Sequence, residues 1–101
     1  MEAVGELVTQ MLGANDIDPA DVISMILTST PDLVSCYPAT AARLAGMEDV
    51  PLLSATEVAV PGSMPRVVRV MAHVESRLAR SDVQHVYLRG TEGLRQATAN
   101  D

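Results

Sequence analysis

The sequence predicts an α+β fold, in which a small mixed β-sheet carries its helices on one face. Two observations support this prediction. The chain opens with the apolar spacing of an amphipathic helix, and after one further short helical segment it consists mostly of apolar segments of strand length. A length of 101 residues corresponds to one domain. We expect that domain to span residues 1–95, with 96–101 as a frayed, polar C-terminal tail.

The first helix is predicted over residues 2–13, and Gly13 is a suitable residue to end it. Its apolar residues recur at the i, i+3 and i+4 spacing of a single helical face, namely Val4, Leu7, Val8, Met11 and Leu12. Asp18–Asp21 is predicted to form a short turn or helical cap. A second, short helix is predicted over Pro38–Ala45, since Pro suits an early helical position and Gly46 follows the end.

Four strands are predicted. Val22–Thr30 is apolar at odd and even positions alike, which is typical of a strand covered on both sides. Val50–Val58 would place Glu57 on one face with Leu53 and Ala55, because side chains alternate along a strand.

The third strand is predicted over Arg66–Val74 and follows a turn at Pro61-Gly62. Its apolar face consists of Val68, Val70, Ala72 and Val74, and Arg69 lies on the other face. A fourth strand over Gln84–Arg89 would carry Tyr87. A sheet this small has open edges, which oligomerisation can cover.

Composition excludes several classes of function. The net charge is −6 and all seven basic residues are Arg, whereas nucleic-acid binding requires clustered positive charge. No apolar run is long enough to span a membrane, and residues 1–14 lack the basic start of a signal peptide. A single cysteine, Cys36, excludes an intramolecular disulfide and fits a reducing cytoplasm. We therefore expect a cytoplasmic protein with no nucleic-acid or membrane partner.

Few polar residues stand out as candidates for chemistry. Glu57, Arg69 and Tyr87 lie in apolar strands, although on pattern alone a solvated carboxylate, a snorkelling arginine and a core tyrosine are the commoner interpretations. His73 and His85 lack the ligand spacing of a metal site. The sequence also lacks a glycine-rich phosphate loop and a nucleophile elbow. We predict neither a metal nor a cofactor.

An ordered set of segments nevertheless resembles one enzyme family. The set comprises Ser29-Thr-Pro-Asp-Leu33, Tyr37-Pro-Ala39, Arg43, Val50-Pro51, Glu57, Pro65-Arg-Val-Val-Arg69-Val-Met71, His85-Val-Tyr87-Leu88 and Leu94-Arg95. In order and spacing it is similar to chorismate mutase of the trimeric α/β class, from about Glu2 to Arg95. The resemblance implies a ferredoxin-like, pseudo-barrel homotrimer with active sites between subunits. It also implies the pericyclic rearrangement of chorismate to prephenate in aromatic amino-acid biosynthesis, which needs no metal or cofactor.

The resemblance also implies roles for individual residues. Arg69 matches the cation beside the ether oxygen of the breaking bond, and Glu57 matches the carboxylate that accepts a hydrogen bond from the ring hydroxyl. Tyr87 and Arg95 match residues that hold the substrate carboxylates. Further substrate-binding positions are Tyr37, Ala39, Thr40, Arg43, Leu52, Leu53, Ser54 and Leu94. Ser54 stands where many members have Cys, and Thr40 replaces a Lys of some members.

One departure from the family concerns the start of the chain. The family opens with a strand of the type Arg-x-Ile-Arg-Gly-Ala, whereas Met1-Glu2-Ala-Val4 matches the first helix that follows it. This departure makes a truncated, non-catalytic homologue the first alternative to the mutase. The second, from the similarly shaped α/β trimer families, is a small trimeric protein that binds a metabolite or hydrolyses imines. The joint occurrence of Glu57, Arg69, Tyr87 and Arg95 favours the mutase over the second of these.

Overall fold

A three-stranded mixed sheet organises the chain in the structure, a computed structural model that describes residues 2–33, 38–89 and 91. The strands are β1 (Val22–Ser29), β2 (Leu52–Thr56) and β3 (Val68–Val74). The central strand β1 pairs in parallel with β2 and antiparallel with β3. Two helices, α1 (Glu2–Ala14) and α2 (Pro38–Ala42), pack on one face of this sheet. The predicted small mixed sheet with helices on one face is confirmed.

The core lies between α1 and the sheet. Val4, Val8 and Leu12 recur every four residues of α1 and are buried, because residues at i and i+4 share one face of a helix. They pack in one cluster with Met25 and Leu27 of β1. The predicted helix and its apolar face are therefore confirmed. Among the described residues, none of the helices combines the length and the apolar character needed to cross a bilayer.

Within the described residues, the helices cover one face of β1, and the second cover that its apolar pattern predicts is not supplied by this part of the chain. Met25, Leu27 and Ser29 are buried against the helices, whereas Ser24, Ile26 and Thr28 are half-buried on the other face. A register irregularity at Val22–Ser24 changes the alternation and leaves Ile23 54% exposed. The strand therefore has one helix-covered face and one open face, and polar groups lie on the open one.

The second helix is shorter and wider than predicted. After α2 ends at Ala42, the chain continues in a wider π-type turn over Arg43–Met47. Gly46 has φ 107°, a conformation that only glycine adopts without strain, so it ends the helical segment much as the sequence indicates. Met47 turns back into the core and is fully buried.

The predicted fourth strand is not formed. Within the described residues, Val83–Leu88 have no regular secondary structure and pair with no strand. Contacts to α1 and to the residue that follows it hold this segment instead. Asn15 exchanges two hydrogen bonds with the backbone of Gln84, of 2.9 and 2.7 Å, and Arg89 lies 3.2 Å from Glu6 of α1. A groove of about 950 Å³ has both the free edge of β3 and this segment in its lining. Among the described strands β3 is an edge strand, and its unpaired edge lies along this groove.

Candidate functional site

Glu57 and Arg69 meet on the open face of the sheet. Arg69 lies in β3, and Glu57 follows β2 directly, where its backbone N–H still donates to the carbonyl of Ser29 at 2.8 Å. Because β1 separates their strands and all three are in register, the two side chains converge above it. Arg69 Nε lies 3.2 Å from Glu57 Oε2. The sequence placed both residues on strands, and the sheet order is what brings them together.

The pair borders a concavity of about 470 Å³. Apart from Arg69, its walls come from the end of β1 and from the loop between β2 and β3, and they comprise Thr30, Pro31, Asp32, Glu57, Val58, Ala59, Val60, Pro61, Ser63, Met64 and Pro65. The Glu57 side chain is 20% exposed and that of Arg69 is 58% exposed. The carboxylate is thus partly desolvated, whereas the guanidinium reaches into the open space.

The loop that forms this wall contains the predicted turn at Pro61-Gly62. Gly62 has φ 82°, and the N–H and hydroxyl of Ser63 both donate to the carbonyl of Val60, at 3.1 and 2.7 Å. This arrangement is a type II turn, which favours Pro at its second position and requires glycine-like φ at its third. The turn returns the chain to β3 beside Glu57.

The end of β1 fixes the start of β3. The backbone N–H of Arg66 donates to Asp32 Oδ2 at 2.9 Å, and that of Val67 donates to Thr30 Oγ1 at 3.0 Å. Arg66 has φ 56°, a left-handed conformation that costs a non-glycine residue about 1 kcal/mol or more. The two side-chain acceptors offset that strain and place Arg69 three residues further along.

The acceptor role of Asp32 affects its ionisation. Its pKa is lowered from the ordinary value, first by the hydroxyl of Thr30 and then by the backbone N–H groups of Asp32 and Arg66, with partial desolvation acting in the opposite direction. These contacts favour the charged carboxylate. Asp32 therefore contributes negative charge to the concavity at neutral pH.

Tyr87 lies on the other side of Arg69. Its side chain is half-buried and lines the groove between β3 and the segment Val83–Arg89, and Arg69 borders both this groove and the concavity of Glu57. Arg69 is thus the residue that the two spaces share, with Glu57 lining one and Tyr87 lining the other. This placement is compatible with one ligand that contacts all three residues.

The remaining predicted site residues are scattered in the single chain. Ala39 and Thr40 lie in α2, and Arg43 begins the turn after it. Leu53 shares the open face with Glu57, whereas Leu52 and Ser54 lie on the opposite face of β2. None of these six residues lines the concavity that contains Glu57. Tyr37, Leu94 and Arg95 lie outside the described residues.

Sequence reasoning missed one polar residue at the centre of the site. Thr28 Oγ1 donates a hydrogen bond of 2.6 Å to Glu57 Oε2. The usable signal was Ser24, Ile26 and Thr28 at alternate positions of β1, which places two hydroxyls on one face. On the same face Ser24 Oγ lies 3.2 Å from Nδ1 of His73. Among the described residues, no group of three or more His, Cys, Asp or Glu side chains is arranged to hold a metal ion.

Comparison with known proteins identifies the family. The family model described as chorismate mutase type I matches residues 1–98. A chorismate mutase AroH of Thermus thermophilus is 50% identical over 95 residues, which cover 93% of this chain and 78% of that protein. A chorismate mutase AroH of Bacillus subtilis is 34% identical over 89 residues, covering 87% of this chain and 70% of that protein. The chain therefore belongs to the type I chorismate mutase family.

A solved structure gives the same result. The chorismate mutase from Clostridium thermocellum superposes with a TM-score of 0.87 at 37% sequence identity, over 91% of this chain and 82% of that one. Fold and sequence thus identify an isomerase with chorismate mutase function. This result decides against the metabolite-binding and imine-hydrolysing alternatives.

Proposed function

We propose that Glu57 and Arg69 are the reacting half of a site that converts chorismate to prephenate in aromatic amino-acid biosynthesis. The observation that carries this assignment is their convergence, with Nε 3.2 Å from Oε2, at the edge of a concavity on the open sheet face. Neither residue has to act as a nucleophile, because the rearrangement is unimolecular and pericyclic. The site has to hold the substrate in its compact conformer and stabilise the charge that develops.

Arg69 supplies the positive charge at the ether oxygen of the breaking bond. That oxygen becomes more negative in the transition state, so a fixed cation beside it binds the transition state better than the ground state. The guanidinium is oriented through its contact with Glu57, and it is exposed enough to reach a ligand. Glu57 accepts a hydrogen bond from the ring hydroxyl. Tyr87 and Arg95 hold substrate carboxylates, as the resemblance implies.

The other substrate-binding assignments complete the pocket. By the same resemblance we assign Tyr37 to pack over the ligand, and we assign Ala39, Thr40, Arg43, Leu52, Leu53, Ser54 and Leu94 to line the pocket of the assembled enzyme. The charges in the described concavity indicate that the substrate needs further cations. Its walls carry two carboxylates, Asp32 and Glu57, and one guanidinium, Arg69. These walls carry more negative than positive charge and do not attract a dicarboxylate, so cations such as Arg43 and Arg95 have to bind it from outside the concavity.

A homotrimer with sites between subunits supplies those cations. Support comes from the open sheet face, where Leu53 and Met71 are each 62% exposed on either side of β1. Apolar side chains on the open face of a sheet are typical of a surface buried by association. A second copy on that face would place further side chains beside Glu57 and Arg69. We propose that this face joins the subunits, and that the enzyme acts in the cytoplasm.

Turnover tests the activity and the residues. Purified chain is mixed with chorismate, and the loss of chorismate absorbance and the appearance of prephenate by chromatography are followed. We expect conversion that falls strongly in Glu57→Ala and stays at the parent level in Arg77→Ala, since Arg77 is exposed and lies outside the site. A parent chain without turnover, or a fully active Glu57→Ala variant, would contradict the assignment.

Light scattering tests the assembly. We expect three times the chain mass for the parent and the mass of one chain for Met71→Asp, which places a charge on the open face. Leu78→Asp is the matched control, because Leu78 is 40% exposed and lies outside the sheet. A monomeric parent at micromolar concentration would rule out both the trimer and a site between subunits.

A further inference from the structure

We propose that Thr28 is a positioning residue for catalysis, which orients the Glu57 carboxylate through its hydroxyl. This inference rests on the proposed role of Glu57. Thr28 Oγ1 donates to Glu57 Oε2 at 2.6 Å, the short distance of a hydrogen bond to a charged acceptor. Neither the resemblance nor the comparisons with known proteins give Thr28 a role.

The sheet places Thr28 between the two charged residues. It lies opposite Ala55 in the parallel pair with β2 and opposite Arg69 in the antiparallel pair with β3. The backbone of Glu57 is already held, because its N–H donates to Ser29 in a continuation of the parallel ladder. What remains free is the side chain, and Thr28 is the neighbour that fixes it.

The two contacts of Glu57 Oε2 differ in kind. Thr28 makes a directional hydrogen bond, whereas Arg69 makes an ionic contact of 3.2 Å through Nε. Within the described part of the chain, Oε1 accepts no hydrogen bond from a side chain. Oε2 is thus anchored to the protein, and we assign Oε1 to the substrate hydroxyl.

The hydrogen bond from Thr28 also keeps N–H groups of Arg69 available to the substrate. A carboxylate beside an arginine tends to turn so that two parallel hydrogen bonds form. Such a pair would occupy guanidinium N–H groups that the ether oxygen needs in the transition state. By holding Oε2 in place, the Thr28 hydroxyl keeps Glu57 in contact with Arg69 but prevents the carboxylate from forming two hydrogen bonds to the guanidinium.

Three variants isolate the hydroxyl. Thr28→Val keeps the shape of the side chain and removes the donor, Thr28→Ser keeps the donor, and Thr56→Val makes the same change one residue before Glu57, where the side chain faces the other side of the sheet. We expect kcat/KM to fall about tenfold in Thr28→Val, which is the scale of a lost hydrogen bond to a charged group. Thr28→Ser should restore activity to within about threefold, and Thr56→Val should match the parent chain. Equal losses in Thr28→Val and Thr28→Ser would overturn the proposal.

A double-mutant cycle separates positioning from a general structural effect. In a Glu57→Ala background, Thr28→Val should change kcat/KM by less than about twofold, since no carboxylate remains to orient. A tenfold loss that persists in this background would contradict the role of Thr28. An unaffected Glu57→Ala single variant would instead contradict the proposed function of Glu57, so the two failures are distinguishable.

A spectroscopic readout tests the contact without turnover. The 13C resonance of the Glu57 carboxyl group in the ligand-free protein should move in Thr28→Val, return in Thr28→Ser and stay in place in Thr56→Val. An unchanged chemical shift in Thr28→Val would show that the hydroxyl does not hold the carboxylate. The proposal would then be wrong, whatever the activities of the variants are.

Discussion

Replacement of Arg69 with alanine, or with its neutral isostere citrulline, removes the cation to which we assign the stabilisation of the developing negative charge. A half-unit charge about 4 Å from the guanidinium is stabilised by about 2 kcal/mol at an effective dielectric constant of about 20, the value suited to a site near the surface. That energy corresponds to about thirtyfold in rate. Loss of a directed donor costs on the order of a hundredfold or more, so we expect kcat to fall by about a hundredfold.

The effect on folding should be small by comparison. The Arg69 side chain is 58% exposed, and a pair this exposed to solvent contributes at most about 1 kcal/mol to stability. For a domain of about 100 residues, the Tm should therefore fall by no more than about 8 °C. A loss of rate without a comparable loss of Tm would show that Arg69 stabilises the transition state rather than the fold.

Chorismate consumption and prephenate affinity are measured for the parent, Arg69→Ala and Arg77→Ala. We expect prephenate to lose much less affinity than the rate loses, because it keeps both carboxylates and lacks the transition-state charge. Arg77→Ala should behave as the parent does. Turnover by Arg69→Ala within a few-fold of the parent would refute the assignment of Arg69 to the ether oxygen.

Three further outcomes test the fold. Leu27→Ala should lower the free energy of unfolding in urea by about 2–5 kcal/mol, since Leu27 is fully buried, whereas Leu44→Ala, 85% exposed, should change it by less than about 0.5 kcal/mol. Because folding lowers the pKa of Asp32, its carboxylate stabilises the fold above the unfolded value of 3.8, and this contribution is lost as the pH falls through the folded pKa. In urea titrations, acid should therefore lower the free energy of unfolding less in Asp32→Asn than in the parent chain. An equal decrease in both would contradict this role of Asp32. Adding an N-terminal strand of the family type should raise Tm and turnover together by filling the groove beside β3, and equal values would show that the groove needs no strand.

Local pattern was sufficient for most of the elements. The recurrence of Val4, Val8 and Leu12 every four residues predicted α1 and its buried face. The alternation of side chains in β3 predicted the apolar face that packs on the core. Pro61-Gly62 predicted the turn that leads into β3. These features depend on neighbours in the chain, so periodicity and turn chemistry reveal them directly.

The fourth strand shows where local pattern fails. Gln84–Arg89 alternates like a strand, yet it pairs with no strand in the described part of the chain, because a strand forms only where a partner edge lies within hydrogen-bonding distance. Asn15 and Glu6 hold the segment in place instead. The apolar pattern of β1 has a related limit, since apolar residues on both faces indicate that the strand is buried but not which element or subunit buries it.

The sequence by itself determined the helix, the strand faces and, through its ordered segments, the family to which the chain belongs. Only the tertiary structure decided that β1 lies between β2 and β3, which brings Glu57 and Arg69 within 3.2 Å across 12 residues of chain and places Thr28 beneath them. The physical reason is that strand order and register are set by the packing of the whole sheet against its helices. A contact between separate strands therefore has no signature in the spacing of the residues that make it.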